Sequence, residues 1–240
     1  MFRKRNWIFP GIILTVLLFI AGNLAIDFSN GLSKNVSMIL QNPSDKIFSN
    51  LFRPSDREVG EMIASALTMN EDEIRKLEEE NTLPLIENHL FEMHDNPPIV
   101  TFKTTEYEII EKLYWDNRTR GSAFVYTDQK LSLVDRFPVL KRSILNLHVK
   151  WLLPKDKLNT NGNIRIRQGG KIVQFQTQYP PSYSTEVSED GIEYDVEEYN
   201  ASFPADPKQI DFTLPLEVIV QYSVENDYAV YELDFKKFIN

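Results

Sequence analysis

The stretch "LNLHVKWLL" (residues 145–153) decides the fold, because large apolar side chains recur at every second position along it. These positions are Leu145, Leu147, Val149, Trp151 and Leu153. Successive side chains of a β-strand point to opposite faces, so a period of two predicts a strand with one buried face. Trp151 falls on that face and is expected in the core, as is Trp115.

Alternation continues downstream and predicts several antiparallel strands. "NIRIRQGGKIVQFQT" (residues 163–177) predicts a hairpin that turns at Gly169 and Gly170, where positive φ is accessible. Residues 216–224 and 228–235 predict a second hairpin. Between the hairpins, apolar and acidic residues alternate and predict a half-buried strand with an acidic outer face: Ile192, Glu193, Tyr194, Asp195, Val196 and Glu197. These arms favour a mainly antiparallel, β-sandwich-like domain over residues 97–240.

Residues 27–96 predict a short helical region instead. Two capping boxes, in which an N-cap side chain is followed three residues later by glutamate, mark two helix starts. The pairs are Ser55 with Glu58 and Asn70 with Glu73. Residues 83–93 are expected to extend the helices, and Thr105 with Glu108 is predicted to cap a further helix inside the β-rich half. The predicted class is therefore α+β.

The N-terminus predicts a membrane anchor. Residues 7–26 are apolar except for Thr15 and Asn23, and 20 helical residues span about 30 Å, the thickness of a bilayer's hydrocarbon core. The basic tail, residues 1–6, precedes this segment and favours the cytosolic side, while an aromatic residue suits the headgroup layer. The anchor residues are Arg3, Lys4, Arg5 and Trp7. Residues 27–240 are then expected outside the cytosol, on a single-pass protein of the plasma membrane.

A cleaved signal peptide is the alternative for the same segment. Its candidate cleavage sites after Gly22 and Ala25 are poor, because Ile20 or Asn23 would occupy the position that prefers a small residue. Both interpretations predict export. The chain has no cysteine, which for an exported domain favours a bacterial cell envelope over a disulfide-rich eukaryotic setting.

The charge excludes one class of partner. The chain has 26 basic and 35 acidic residues, and without Arg3, Lys4 and Arg5 the remainder has 23 basic against 35 acidic, a net charge of −12. Such a domain has no electrostatic reason to bind nucleic acid.

Motifs for catalysis and cofactor binding are absent from the sequence. There is no Gly-x-Ser-x-Gly elbow, no phosphate-binding glycine loop and no nucleophilic cysteine. His89 and His94 are five residues apart, a spacing that places them on different faces of a helix or strand. No cofactor is predicted. Calcium at Glu189, Asp190, Glu193 and Asp195 is the alternative, but the alternation with apolar residues explains these carboxylates as a solvated strand face.

Two groups of residues are candidate contacts for a protein partner. Tyr179 and Tyr183 flank a Pro-Pro-Ser segment and could form an aromatic contact surface. Val59, Met62 and Ile63 form an apolar stripe on a predicted helix, where packing against the chain's own domain is the competing interpretation.

These observations predict a membrane-anchored extracytoplasmic binding or scaffolding protein of the cell envelope, without enzymatic activity. The bilayer contacts residues 7–26, and another envelope protein is the expected partner. One alternative is an extracytoplasmic ligand sensor or regulatory subunit, although six cytosolic residues are too few for a signalling domain. The other is a glycan hydrolase that uses two carboxylates, whose separation a sequence does not show.

Overall fold

The computed structural model describes residues 42–89, 97–120, 137–154, 163–173, 177–178, 181–187, 191–221 and 227–239. Within them the chain combines helices with two antiparallel sheets, which confirms the α+β class and the β-rich character of the C-terminal part. The predicted membrane anchor lies outside the described residues. Among the residues that are described, no helix is long and apolar enough to cross a bilayer.

Four α-helices occur in the described residues: α1 Pro43–Phe52, α2 Asp56–Thr68, α3 Glu71–Asn81 and α4 Thr105–Arg120. Both predicted capping boxes are confirmed. At the start of α2 the Ser55 amide donates to Glu58 at 2.6 Å, and at the start of α3 the Asn70 amide donates to Glu73 at 2.8 Å. Each reciprocal pair satisfies backbone donors that the first helical turn leaves without partners.

The described strands are β1 Leu85–Asn88, β2 Ile99–Lys103, β3 Ile144–Pro154, β4 Asn163–Gln168, β5 Lys171–Val173, β6 Thr177–Gln178, β7 Ser182–Val187, β8 Glu193–Pro204, β9 Leu216–Gln221 and β10 Tyr228–Leu233. Sheet I has the order β2-β3-β8-β6, and β7 also pairs with β8. Sheet II has the order β1-β10-β9-β4-β5. The decisive stretch forms the central strand β3, and the predicted turn between β4 and β5 has φ of 56° at Gly169 and 78° at Gly170.

The two sheets contribute to one hydrophobic core. Trp151 and Val149 of β3 are buried in it together with Val218 and Val220 of β9. Helix α1 also belongs to this core, since the Phe52 ring lies 5.8 Å from that of Phe212, centroid to centroid. A helix from the predicted juxtamembrane region is thus packed with the sheets.

A second core cluster joins the other helices. Val59 of α2 and Ile74 of α3 pack with Ile109 and Leu113 of α4. Phe137, which precedes a 3₁₀ turn at Pro138–Lys141, completes this cluster. The 3₁₀ turn therefore lies next to α4, an arrangement that shapes the cleft described below.

Three sequence-based expectations were wrong. Residues 83–93 do not extend the helices: their described part forms β1, because its backbone pairs with β10. Trp115 is 51% exposed on α4 and does not lie in the core. The helix predicted from Thr105 and Glu108 is confirmed as α4, but its N-cap is Thr104 rather than Thr105. The Thr104 hydroxyl accepts from the Tyr107 amide at 3.1 Å, and the Glu108 side chain is available for other contacts.

The acidic outer face predicted for β8 is also wrong at Glu197, which lies on the inner face of sheet I. Glu197 is the cross-strand partner of Trp151, and it is 3% exposed. Ile192, expected to be buried, is instead 52% exposed. Alternation identified which residues share a face of β8, but it assigned the face of Glu197 to solvent, whereas Tyr199, Ala201 and Phe203 on that face belong to the core.

Candidate functional site

The predicted partner contacts fall in two different environments. Tyr183 lies on β7 and is exposed, whereas Tyr179 lies outside the described residues. Val59 is buried in the helical core, and Met62 and Ile63 pack half-buried against the same core. The α2 stripe therefore contacts the chain's own helix α4.

The other predicted site residues are only partly described. Arg3, Lys4, Arg5 and Trp7 lie outside the described residues, as do Glu189 and Asp190 of the calcium candidate. Glu193 and Asp195 are on β8. Among the described residues, no group of three His, Asp or Glu side chains is placed to hold a metal ion.

The first candidate site is a surface that we call the acidic hairpin, residues 182–198, of which the structure describes residues 182–187 and 191–198, including β7 and the first half of β8. All six side chains of β7 are exposed, on both of its faces. Tyr183 is 53% exposed and Val187 is 67% exposed. Large apolar side chains exposed together on a charged surface are typical of a contact site for another protein.

Two further features of the acidic hairpin suit a contact site: its negative charge and an open edge of β7. Residues 182–198 include seven acidic residues and no basic one. Among the described strands, β7 pairs only with β8, so its other edge presents backbone groups that no described strand occupies. Lys150 of β3 reaches Glu186 of β7 at 2.6 Å and holds the strand on sheet I.

The second candidate site is a cleft of about 520 Å³ between α4, the 3₁₀ turn and the outer face of sheet I. Its lining combines charged, amide and apolar side chains: Lys103, Glu108, Glu111, Lys112, Phe137, Pro138, Val139, Arg142, Ile144, Asn146, Asn200 and Ser202. Asn146 and Ser202 are cross-strand partners on β3 and β8 and form part of its floor.

A hydrogen-bonded chain connects this floor to α4. The Ser202 hydroxyl donates to Asn146 Oδ1 at 2.7 Å, and Asn146 Nδ2 donates in turn to Glu108 Oε1. Burial raises the pKa of the Glu108 carboxyl, while the Asn146 hydrogen bond and nearby Lys103 act in the opposite direction. Glu108 is thus a carboxyl group held in a poorly solvated position by a neutral amide.

The neighbouring carboxylate is neutralised within the cleft. Lys103 Nζ lies 2.8 Å from Glu111 Oε2, and both side chains are largely shielded from solvent. The Tyr107 hydroxyl donates to the same carboxylate at 3.4 Å. Glu108 and Glu111 lie one helical turn apart on α4, but only Glu111 has a cationic partner at hydrogen-bonding distance.

An imidazole lies beyond the floor of the cleft. His148 Nδ1 is 3.2 Å from Asn200 Oδ1, and His148 is the strand neighbour of Thr101 and Asn200. Burial, with a further contribution from Lys103, lowers the pKa of His148. His148 does not line the cleft itself but contacts Asn200, which does, so two groups with shifted pKa values, Glu108 and His148, lie at or next to one concave site, as is typical of functional sites.

No family model, no curated protein and no solved structure matches the chain. The two candidate sites therefore rest on their own geometry.

The cleft was missed by sequence reasoning because five separate elements supply its lining. One signal did exist. The polar face of β3 carries Asn146 and His148 before Lys150, and short amide and imidazole groups on such a face indicate contacts with the protein itself.

Proposed function

We propose that this chain is a membrane-anchored extracytoplasmic binding protein of a bacterial cell envelope, without enzymatic activity. Residues 7–26 would span the plasma membrane, and the two sheets, stacked as a sandwich, would lie outside the cytosol. The apolar length of that segment and the basic residues before it support the anchor.

One observation carries the binding role: β7 is a strand whose six side chains are all exposed, with apolar residues among them. Natural sheets protect their edges, since an open edge can pair with another chain. Conversely, many peptide-binding proteins use such an edge to add a strand from a partner. We therefore assign the acidic hairpin as the contact surface.

Charge complementarity defines the partner. Residues 182–198 include seven acidic residues and no basic one, and Lys150 of β3 pairs with Glu186. A segment with basic side chains would offset this excess, and apolar side chains between them would contact Tyr183 and Val187. The proposed partner is thus an envelope protein with an extended, basic segment that pairs with β7.

Topology is testable with single cysteines, because the chain has none of its own. Lys208, an exposed residue near β9, and Asn6, in the basic tail, are each replaced by cysteine in separate variants. A membrane-impermeant maleimide applied to intact cells or spheroplasts should label Lys208→Cys, and Asn6→Cys only after permeabilisation. Labelling of Asn6→Cys first, or release of Lys208→Cys from the membrane, would contradict the anchored topology.

Partner binding is tested by photo-crosslinking in native membranes. A photoreactive residue is placed at Val187 and, as a matched control, at Ile172, which is equally exposed on β5 of sheet II. We expect an adduct from position 187 that Glu193→Lys suppresses, and no such adduct from position 172. The crosslinked segment, mapped by mass spectrometry and synthesised, should be basic and should slow hydrogen exchange of β7 amides. An acidic segment, or β7 amides that still exchange freely, would refute the proposal.

A second candidate function has one observation in its favour. Glu108 and Glu111 both line the cleft, and their surroundings differ, as the acid and base of a hydrolase must. The ion pair between Lys103 and Glu111 counts against it, because it ties up one carboxylate. The test is hydrolysis of envelope glycans by the full chain. Hydrolysis that Glu108→Gln abolishes and Glu193→Gln retains would favour the hydrolase. Equal release of product with and without the chain would exclude hydrolysis of those glycans.

A further inference from the structure

We propose that the cleft between α4 and sheet I is a second binding site, for a small zwitterionic ligand of dipeptide size whose ammonium group pairs with Glu108 and whose carboxylate pairs with Arg142. This inference does not depend on the membrane anchor or on the acidic hairpin. It rests on the charges, hydrogen bonds and volume of the cleft alone.

The first step concerns the charge on the α4 wall. Glu111 is neutralised by Lys103 at 2.8 Å, and Lys112 by Asp116 at 2.7 Å. Glu108 remains, bonded through Oε1 to the neutral Asn146 amide, while Oε2 has no hydrogen-bond partner among the described residues. A half-buried carboxylate without a cation at hydrogen-bonding distance is costly, so a cationic donor entering the cleft would be stabilised there.

The second step concerns a cationic side chain of the lining. Arg142 follows the 3₁₀ turn and lines the same cleft. Its guanidinium group makes no ion pair or side-chain hydrogen bond with the described residues. A guanidinium group binds a carboxylate through two parallel hydrogen bonds, which makes it the natural site for the ligand's acidic end. Glu108 and Arg142 thus give the same lining an anionic and a cationic group, which together select a ligand with both charges.

The rest of the lining fits a peptide-like body. Asn200 uses Oδ1 for His148, which leaves its amide N–H groups able to donate to a ligand carbonyl. Val139 and Ile144 supply apolar contacts on the same lining. A volume of about 520 Å³ falls in the usual range for small-molecule sites and exceeds what a single small ion would fill.

Other ligand classes fit less well. Phosphate or another anion would be repelled by Glu108. A metal ion would require a third suitable side chain, and no such grouping exists in the described residues. A sugar ring usually stacks on an exposed aromatic face, whereas the aromatic residue of the lining, Phe137, is buried.

The test uses the full chain in detergent micelles and three probes measured by titration calorimetry. L-Alanyl-L-alanine carries both charges, its N-acetyl derivative lacks the ammonium group, and its C-terminal amide lacks the carboxylate. We expect the parent dipeptide to bind at least about tenfold more tightly than either derivative, the effect of one lost charged hydrogen bond. No binding of the parent at millimolar concentration, or equal binding of all three, would overturn the proposal.

Two variants test which residue of the cleft pairs with each charge of the ligand. Glu108→Gln should abolish the preference for the parent over the N-acetyl form, and Arg142→Ala the preference for the parent over the amide. Arg142 is exposed, so its variant tests the site even if Glu108→Gln impairs folding. Arg57→Ala, which removes an exposed arginine of α2, should change neither preference. Retention of both preferences in the cleft variants would place the ligand elsewhere.

The outcome of the dipeptide titration does not bear on the proposed role of the acidic hairpin, because the titration and the crosslinking at Val187 probe different surfaces. Binding in the cleft without a hairpin partner would favour the ligand-sensor alternative. Hairpin binding without dipeptide binding would leave the binding-protein proposal intact and refute the cleft.

Discussion

Glu197 lies directly across from Trp151 on the inner face of sheet I, so a carboxyl group occupies a position opposite a core indole. Next to them Trp151 Nε1 donates to the Tyr199 hydroxyl at 3.1 Å. Burial raises the pKa of Glu197 to about 7. The position therefore links the stability of the domain to pH.

The first prediction concerns this link. Because the folded-state pKa of Glu197 lies above the unfolded value near 4.5, the folded chain binds the extra proton between these values. The contribution of this proton to the free energy of unfolding is fully present below pH about 4.5, declines as pH rises and is lost above pH about 7. The change is on the order of 3 kcal/mol. Urea unfolding of Glu197→Gln should lack this decline, whereas Glu193→Gln, an exposed position on β8, should retain it. Parallel pH profiles for wild type and Glu197→Gln would contradict the assignment.

The second prediction compares two glycines, whose replacement by alanine should change the free energy of unfolding in opposite directions. Gly60 is inside α2, and no atom lies within 4 Å of the place that an alanine methyl group would take, so Gly60→Ala should stabilise the chain by about 0.5–1 kcal/mol. Gly170 has φ of 78°, so Gly170→Ala should destabilise it by about 1 kcal/mol. Urea midpoints measure both changes. A loss of stability in Gly60→Ala would mean that α2 has a neighbour at this position.

The third prediction tests the start of α2. Ser55→Ala removes the hydroxyl that accepts from the Glu58 amide at 3.3 Å and should cost about 1 kcal/mol of unfolding free energy. Glu61→Gln breaks the exposed ion pair with Arg57 at 3.2 Å and should cost less than about 0.5 kcal/mol. Equal costs would show that the capping box contributes no more than a surface ion pair.

The fourth prediction tests whether α1 belongs to the sheet core. Phe52→Ala should destabilise the chain by about 3–5 kcal/mol, since Phe52 is 1% exposed and its ring packs with those of Phe102 and Phe212. Leu67→Ala, at an exposed position of α2, serves as the control and should remain within about 0.5 kcal/mol of wild type. A small effect of Phe52→Ala would show that α1 can separate from the sheets.

Local patterns predicted several elements well. Alternation over residues 145–153 predicted β3, and Gly169 with Gly170 predicted the turn between β4 and β5. The two capping boxes predicted where α2 and α3 begin. Each of these signals acts within a few residues of the chain, so the neighbouring sequence is enough to predict the element.

Long-range contacts explain the failures. Residues 85–88 became a strand because β10, more than 130 residues later, offered an edge to pair with. Trp115 is exposed because the buried face of α4 is occupied by Ile109, Leu113 and their partners. No local pattern reports which elements will be neighbours.

The sequence by itself determined the class of the domain, its acidic charge and the periods of its strands and helices, because side-chain geometry and backbone capping are local. It also marked residues 7–26 as an apolar segment long enough to span a bilayer. Only the tertiary structure decided which face of β8 is covered at Glu197, and only it placed Glu108 of α4 against Asn146 of β3. The physical reason is that burial and charge pairing depend on what packs against a residue, and that neighbour is usually distant in the chain.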